Sequence, residues 1–279
     1  MAETIAEKTP QPTTGTTAEK TAPNLAGAPA LRRSPAHQLA EAFAAASAAT
    51  AADPARSVSL REIPFLTQIG LRAVPGTPGA VALESALGAP LPSGHGRTTS
   101  GGGYTVVWIG PSEYLAIGQE RGEERREEQG QEGSGDGSGA EDLGPAEAAR
   151  LGAALGEPGA RVPGAVVDLS ANRTTFALSG PSARAVLEKG VSYDLHPRHF
   201  AVGTAIATVL DHVPVLLWKT GEEDYRVLPR ASFADHVGRW LVDAMREFAA
   251  RGAAAHGAAL RGAAVRGLAV DGTAAREVA

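Results

Sequence analysis

The sequence predicts an α+β fold built from two duplicated strand–helix–hairpin–helix halves. Two observations carry this. Short β-branched and aromatic runs with two-residue alternation sit between Gly/Pro breaks, with short helical runs interspersed among them. The order of these elements then recurs about 110 residues later, a separation too long for a solenoid period and suited to duplicated halves.

Residues 58–74 read as extended, with Phe65, Ile69, Leu71 and Ala73 on one parity. Pro75-Gly76 and Pro78-Gly79 break the strand, a helical run covers 80–87, and Gly88 stands where a left-handed C-cap would end it. Residues 89–103 read as a Pro/Gly/Ser/Thr-rich loop. Strands 104–109 and 114–118 flank Gly110-Pro111-Ser112-Glu113 as a hairpin. A helix is predicted over 145–155, with Pro145 at its first position.

In the second half, residues 166–178 read as a strand. Its parity shifts from Val167, Leu169 and Ala171 to Thr174, Phe176 and Leu178, which predicts a bulge or bend near Asn172. Pro181 is expected to open a helix with Ala183, Val186 and Leu187 on its apolar side, Lys189 in its last turn and Gly190 ending it. Strands at 204–210, 213–218 and 225–228 follow. For the last helix, Ser232 and Asp235 are predicted as a capping pair. Phe233, Val237, Trp240, Leu241, Ala244, Met245 and Phe248 form its apolar face, and Gly252 closes it. Trp108 with Tyr114 and Trp218 with Tyr225 read as matched positions of the two hairpins.

Composition marks what is expected to fold. Residues 1–30, 119–142 and 252–279 lack the apolar residues that offset ordering entropy and read as a disordered tail, insert and tail. Residues 31–57 read as an Ala-rich helix or linker. The folded domain is expected over 58–251, in halves 58–160 and 161–251. Net charge is −5, much of it in the acidic insert, so no basic field invites nucleic acid. The chain has no cysteine, which excludes disulfides, thiolate metal sites and a Cys nucleophile. No apolar run reaches membrane-helix length and no secretory signal is visible, so a cytoplasmic protein is expected.

Several residues could carry chemistry, and for most a structural role explains them better. Asp211-His212 reads as a solvated hairpin turn. His196 and His199 lack the carboxylates a metal site would need. Ser179-Gly180-Pro181 could present a helix N-terminus to phosphate, with Arg184 in the first turns, but capping explains it as well. Ser170, Asp168 and His196 make a triad only on paper, with no nucleophile elbow. Trp108, Trp218 and Trp240 read as core. Asn172-Arg173 is different: two polar residues interrupt an apolar strand, and a buried Arg173 would need a partner, expected to be a carboxylate inside the fold or on a neighbouring subunit.

Ordered blocks of the sequence resemble a known family. Asp168-Leu169-Ser170-Ala171-Asn172-Arg173-Thr174-Thr175, then Leu178-Ser179-Gly180-Pro181, Leu187-Glu188-Lys189-Gly190 and Asp194-Leu195-His196-Pro197-Arg198 occur in the family's register, with Phe200 and Gly203 after them. Trp108-Ile109-Gly110-Pro111-Ser112-Glu113-Tyr114-Leu115 resembles its hairpin block. The chain is thus similar to gamma subunits of heterotetrameric sarcosine oxidase over roughly 60–248. The resemblance implies a fold like the folate-binding domain of the glycine-cleavage aminomethyltransferase, and a chain that holds no cofactor and is itself non-catalytic. It further implies an alpha subunit with NAD and tetrahydrofolate as the direct partner. A beta subunit with FAD, an FMN shared between alpha and beta, and a delta subunit with zinc complete the implied assembly. Such an assembly converts sarcosine to glycine with formaldehyde or methylenetetrahydrofolate and peroxide as products. Asp168, Asn172, Arg173, Gly180, Pro181, Asp194, His196, Pro197, Trp108 and Trp218 are then family-signature or partner-contact candidates. The alternative is a free-standing folate-binding protein of the same fold. The missing cysteine counts against the iron–sulfur maintenance branch, and an aminomethyltransferase would be longer, with a further C-terminal barrel, whereas the folded part here is expected to end near 250.

Overall fold

A computed structural model describes residues 33–120 and 143–249. The predicted tails, most of the acidic insert and Gly252 lie outside the described residues. Among the described residues, ten strands form two antiparallel five-stranded sheets. The strands are β1 (Ser59–Ile63), β2 (Gln68–Arg72), β3 (Thr98–Gly101), β4 (Tyr104–Gly110), β5 (Glu113–Gly118), β6 (Ala165–Asp168), β7 (Thr175–Ser179), β8 (Ala205–Leu210), β9 (Val213–Lys219) and β10 (Asp224–Pro229). The α-helices among the described residues are α1 (Ala40–Thr50), α2 (Pro78–Leu87), α3 (Gly144–Ala153), α4 (Ala183–Glu188) and α5 (Ala234–Met245).

The strand orders are β1-β7-β10-β9-β8 and β6-β2-β5-β4-β3. Each half therefore lends its first strand to the other half's sheet. β1 pairs with β7 through Leu60↔Leu178 and Glu62↔Phe176, and β6 pairs with β2 through Gly70↔Val167 and Leu71↔Val166. The duplication predicted from element order is present, but the halves interlock rather than stand side by side.

This exchange corrects two readings of the sequence. The run 58–74 is two strands in different sheets, separated by a turn in which Phe65 takes a φ of 56°. The parity shift in 166–178 is likewise a crossing between sheets and not a bulge within one strand: β6 ends at Asp168 and β7 starts at Thr175. A strand that changes sheet presents its alternate side chains to a new layer, so its parity resets at the crossing.

Alternation along each strand sorts side chains into three cores. The outer face of the β1–β8 sheet buries Phe176, Leu178, Val215, Leu217, Tyr225 and Val227 against α1, α4 and α5. The outer face of the β6–β3 sheet buries Ile69, Leu71, Tyr104, Val106 and Tyr114 against α2 and α3. Val107, Leu115 and Ile117 of one sheet meet Ala205, Leu216 and Leu228 of the other, so the inner faces pack on each other.

Helix ends follow local chemistry, with two corrections. Gly88 ends α2 at φ 68°, as the sequence predicts, while the helix starts two residues before the predicted run, with Thr77 capping it and Pro78 at its first position. Pro181 does not open α4. It lies in the preceding turn, and the helix starts at Ala183 with its apolar residues Ala183, Val186 and Leu187 fully buried. Ser232 and Asp235 make no capping pair: a short 3₁₀ turn leads into α5, and the Asp235 carboxylate is taken by Arg239 Nε at 2.9 Å. The 89–103 region is not all loop. β3 forms a tight hairpin with β4 through Gly102 and Gly103, both at positive φ. The Ala-rich 31–57 segment supplies α1, whose Phe43 packs edge-on against Phe176 at 5.6 Å between ring centroids.

Candidate functional site

The crossing from β6 to β7 gathers Asp168, Ser170, Asn172 and Arg173 of the residues singled out in the sequence. Asp168 closes it as a local cap: its Oδ1 accepts the Ser170 N–H at 2.9 Å and the Ser170 hydroxyl at 2.6 Å. Ser170 Oγ in turn accepts the Gln68 N–H at 3.1 Å. These bonds account for the Asp168–Ser170 pair structurally. His196 makes its own contacts elsewhere, its Nδ1 accepting the Arg198 N–H at 3.2 Å, so no triad forms.

Asn172 is exposed, and its carbonyl accepts the Ala231 N–H at 2.9 Å. The Gln68 amide donates to the Arg173 carbonyl at 3.1 Å, which fixes the backbone from the facing sheet. Arg173 itself is half-buried, and its Nη1 donates to the Leu228 carbonyl at 3.0 Å. Its backbone forms an antiparallel bridge with Arg230, which puts the two guanidinium side chains on one face. Burial lowers the Arg173 pKa, and the positive charge of Arg230 lowers it further. Among the described residues neither arginine has a carboxylate partner.

That absence is specific to this end of the sheet. Arg61 and Arg226 flank Ala177 in the register of β1, β7 and β10, on the same inner face. There Glu120 answers both, at 2.6 Å from Arg61 and 3.7 Å from Arg226. The inner layer also holds three buried side-chain atoms with no hydrogen-bond partner among the described residues: Gln68 Oε1, Thr175 Oγ1 and Trp218 Nε1. Sequence reasoning singled out Arg173 and missed Arg230 and Gln68. Their proximity arises from strand pairing and leaves no local motif.

The remaining candidates are positioned structurally. Gly180 takes a φ of 112°, and a Cβ there would lie 2.6 Å from the Ser57 carbonyl oxygen, so this corner requires glycine. Pro181 is exposed beside it. Asp194 Oδ1 accepts the His196 N–H at 2.9 Å, and Asp194, His196 and Pro197 form an exposed turn separate from the crossing. No group of three or more His, Asp or Glu among the described residues could hold a metal ion. Asp211 occupies the β8–β9 turn at φ 55° with His212 and His236 around it.

Trp108 and Trp218 do not match. Trp108 lies opposite Tyr114 and packs on the outer core of its sheet. Trp218 lies opposite Arg226 and packs on the inner layer, and the residue opposite Tyr225 is Lys219. One extra residue between Trp218 and Tyr225 reverses the face. Lys219 is consequently buried at 1% exposure, with its ammonium 5.9 Å from the centre of the Tyr225 ring.

Comparison with known proteins places this architecture. The Sarcosine oxidase, gamma subunit family matches residues 138–247. Sarcosine oxidase subunit gamma of Corynebacterium sp. strain P-1 is 48% identical over 221 residues, covering 79% of this chain and 93% of the relative. The subunit of Corynebacterium sp. strain U-96 is 45% identical over the same length. Among solved structures, a chain of the heterotetrameric sarcosine oxidase from Corynebacterium sp. U-96, in complex with pyrrole 2-carboxylate, superposes with a TM-score of 0.64 at 45% identity, covering 79% of this chain and 97% of that one. The chain belongs to the sarcosine oxidase gamma subunit family.

Proposed function

We propose that this chain is the non-catalytic gamma subunit of a heterotetrameric sarcosine oxidase, packing against the alpha subunit in the cytoplasm. The observation that carries the reading is the 45% identity over nearly the whole of a chain solved within such a heterotetramer. The polar residues of the crossing support it. Asp168 and Ser170 bond to each other, Ser170 accepts the Gln68 N–H, and His196 makes its contacts elsewhere, an arrangement that fits a docking role better than a catalytic one. The sarcosine chemistry then belongs to the other subunits, with FAD, FMN, NAD, tetrahydrofolate and zinc held there. No helix among the described residues is long and apolar enough to cross a membrane.

Reconstitution tests this reading. The chain is co-expressed with the alpha, beta and delta subunits from the same source, and sarcosine-dependent oxygen uptake is compared with and without it. Activity or yield of the assembly that depends on the chain, with none in the chain alone, is expected. Sarcosine oxidation by the isolated chain, or an active oxidase that excludes it, would contradict the reading.

A further inference from the structure

We infer that Arg173 and Arg230 together form a receptor for a carboxylate of the partner subunit. The inference rests on the gamma-subunit reading above and names the chemistry of one contact within it.

Three observations support the site. Bridged residues on antiparallel strands project to the same face, and like charges placed directly opposite destabilise a sheet. Arg173 is also half-buried, where an uncompensated charge is costly. Its guanidinium donates to Leu228 O at 3.0 Å and makes no other hydrogen bond among the described residues, so most of its donors remain available. The other arginine pair of the same face, Arg61 and Arg226, shares the carboxylate of Glu120. Among the described residues, a carboxylate is thus present at one end of the inner face and none at the other. Paired guanidinium groups fix a carboxylate by parallel N–H···O bonds. The crossing is held for this role by Gln68, which clamps the Arg173 carbonyl at 3.1 Å. Both arginines lie within the 138–247 segment that matches the family, while most of the acidic 119–142 insert lies outside it. A carboxylate common to the family's assemblies is therefore a better occupant than one from the insert.

The test uses the full chain and the assembled oxidase. Binding of the tagged chain to the remaining subunits is measured against NaCl concentration for wild type, Arg173→Gln, Arg230→Glu and a chain lacking residues 121–137. Arg230 is exposed, so its variant is expected to fold, and the melting temperature of the free chain checks this. A loss of affinity of about 10-fold or more for each arginine variant, with a shallower salt dependence and no effect of the deletion, is expected. Wild-type affinity and salt dependence in both variants would overturn the inference while leaving the gamma-subunit reading intact. An equal loss on deleting the insert would overturn it by making the insert the occupant. Failure of the wild-type chain to bind any oxidase subunit would overturn both.

Discussion

The two sheets share one strand order and one exchanged strand, yet they are not equally furnished. The β6–β3 sheet is covered by two helices, and its crossing, Pro64 to Thr67, is short and tucks Leu66 against the inter-sheet layer. The β1–β8 sheet has the additional α1 over it, and its crossing is longer, polar and arginine-bearing. Duplication supplies a scaffold in which each half cannot complete its sheet alone. The differences between the copies concentrate at one place. That place is the β6–β7 crossing, where the pattern of a buried strand gives way to arginines with no carboxylate partner among the described residues.

Substitutions at equivalent positions sharpen the contrast. Phe176 and Ile69 occupy the same place in β7 and β2, opposite Val227 and Ala116. Phe176→Ala is expected to cost about 3–5 kcal/mol and Ile69→Ala about 2–4 kcal/mol, measured by urea unfolding. Phe43→Ala should approach the Phe176→Ala loss, because the two rings pack edge to edge. A loss for Phe43→Ala below about 1 kcal/mol would show that α1 is a dispensable linker.

Corner residues give the next effect. Gly180 corresponds in register to Ala73, which sits at ordinary φ. Gly180→Ala is expected to destabilise by roughly 2–4 kcal/mol, through its φ of 112° and the approach to Ser57 O. Asp168→Ala should cost about 1–2 kcal/mol, since it strips both bonds from Ser170.

Alkaline pH probes the outer cores. Burial is the first cause raising the pKa of Tyr104, Tyr114 and Tyr225, and for Tyr104 the hydrogen bond to Glu147 adds to it. The unfolded chain then releases these phenolic protons at lower pH than the native chain. The associated stability is fully present below the unfolded value, near 10, and is lost as pH rises from there through the folded values. Unfolding free energy should fall above about pH 10, and Tyr225→Phe should flatten that fall. The smallest effect is expected for Arg230→Ala in the free chain, within about 0.5 kcal/mol of wild type, because it removes a like-charge opposition from an exposed position.

The elements themselves were legible in the sequence because their signals are local. Gly88 ends α2, the Gly110–Glu113 turn joins β4 to β5, and the apolar stripe of α5 buries Val237, Leu241 and Met245. What depended on pairing was not legible. Two adjacent strands in one extended run look the same whether they share a sheet or part between two, so both crossings read as single strands. β3 was hidden because Thr98–Gly101 has no apolar alternation, being stabilised by the Gly102-Gly103 turn and by Thr98 donating to Gly203 O at 2.6 Å. At the candidate site, Arg173 stood out as a charge in an apolar run. Arg230 did not, since it follows a strand where an exposed arginine is ordinary. Trp218 seemed equivalent to Trp108 until register placed the two on opposite faces.

This chain works as one subunit of a larger oxidase. That role is tested most directly by purifying the tagged full-length chain from its native cells, identifying what comes with it by mass spectrometry and recording the visible spectrum. Stoichiometric larger subunits and the absorption of bound flavin are predicted. A colourless chain, eluting alone, would contradict the account.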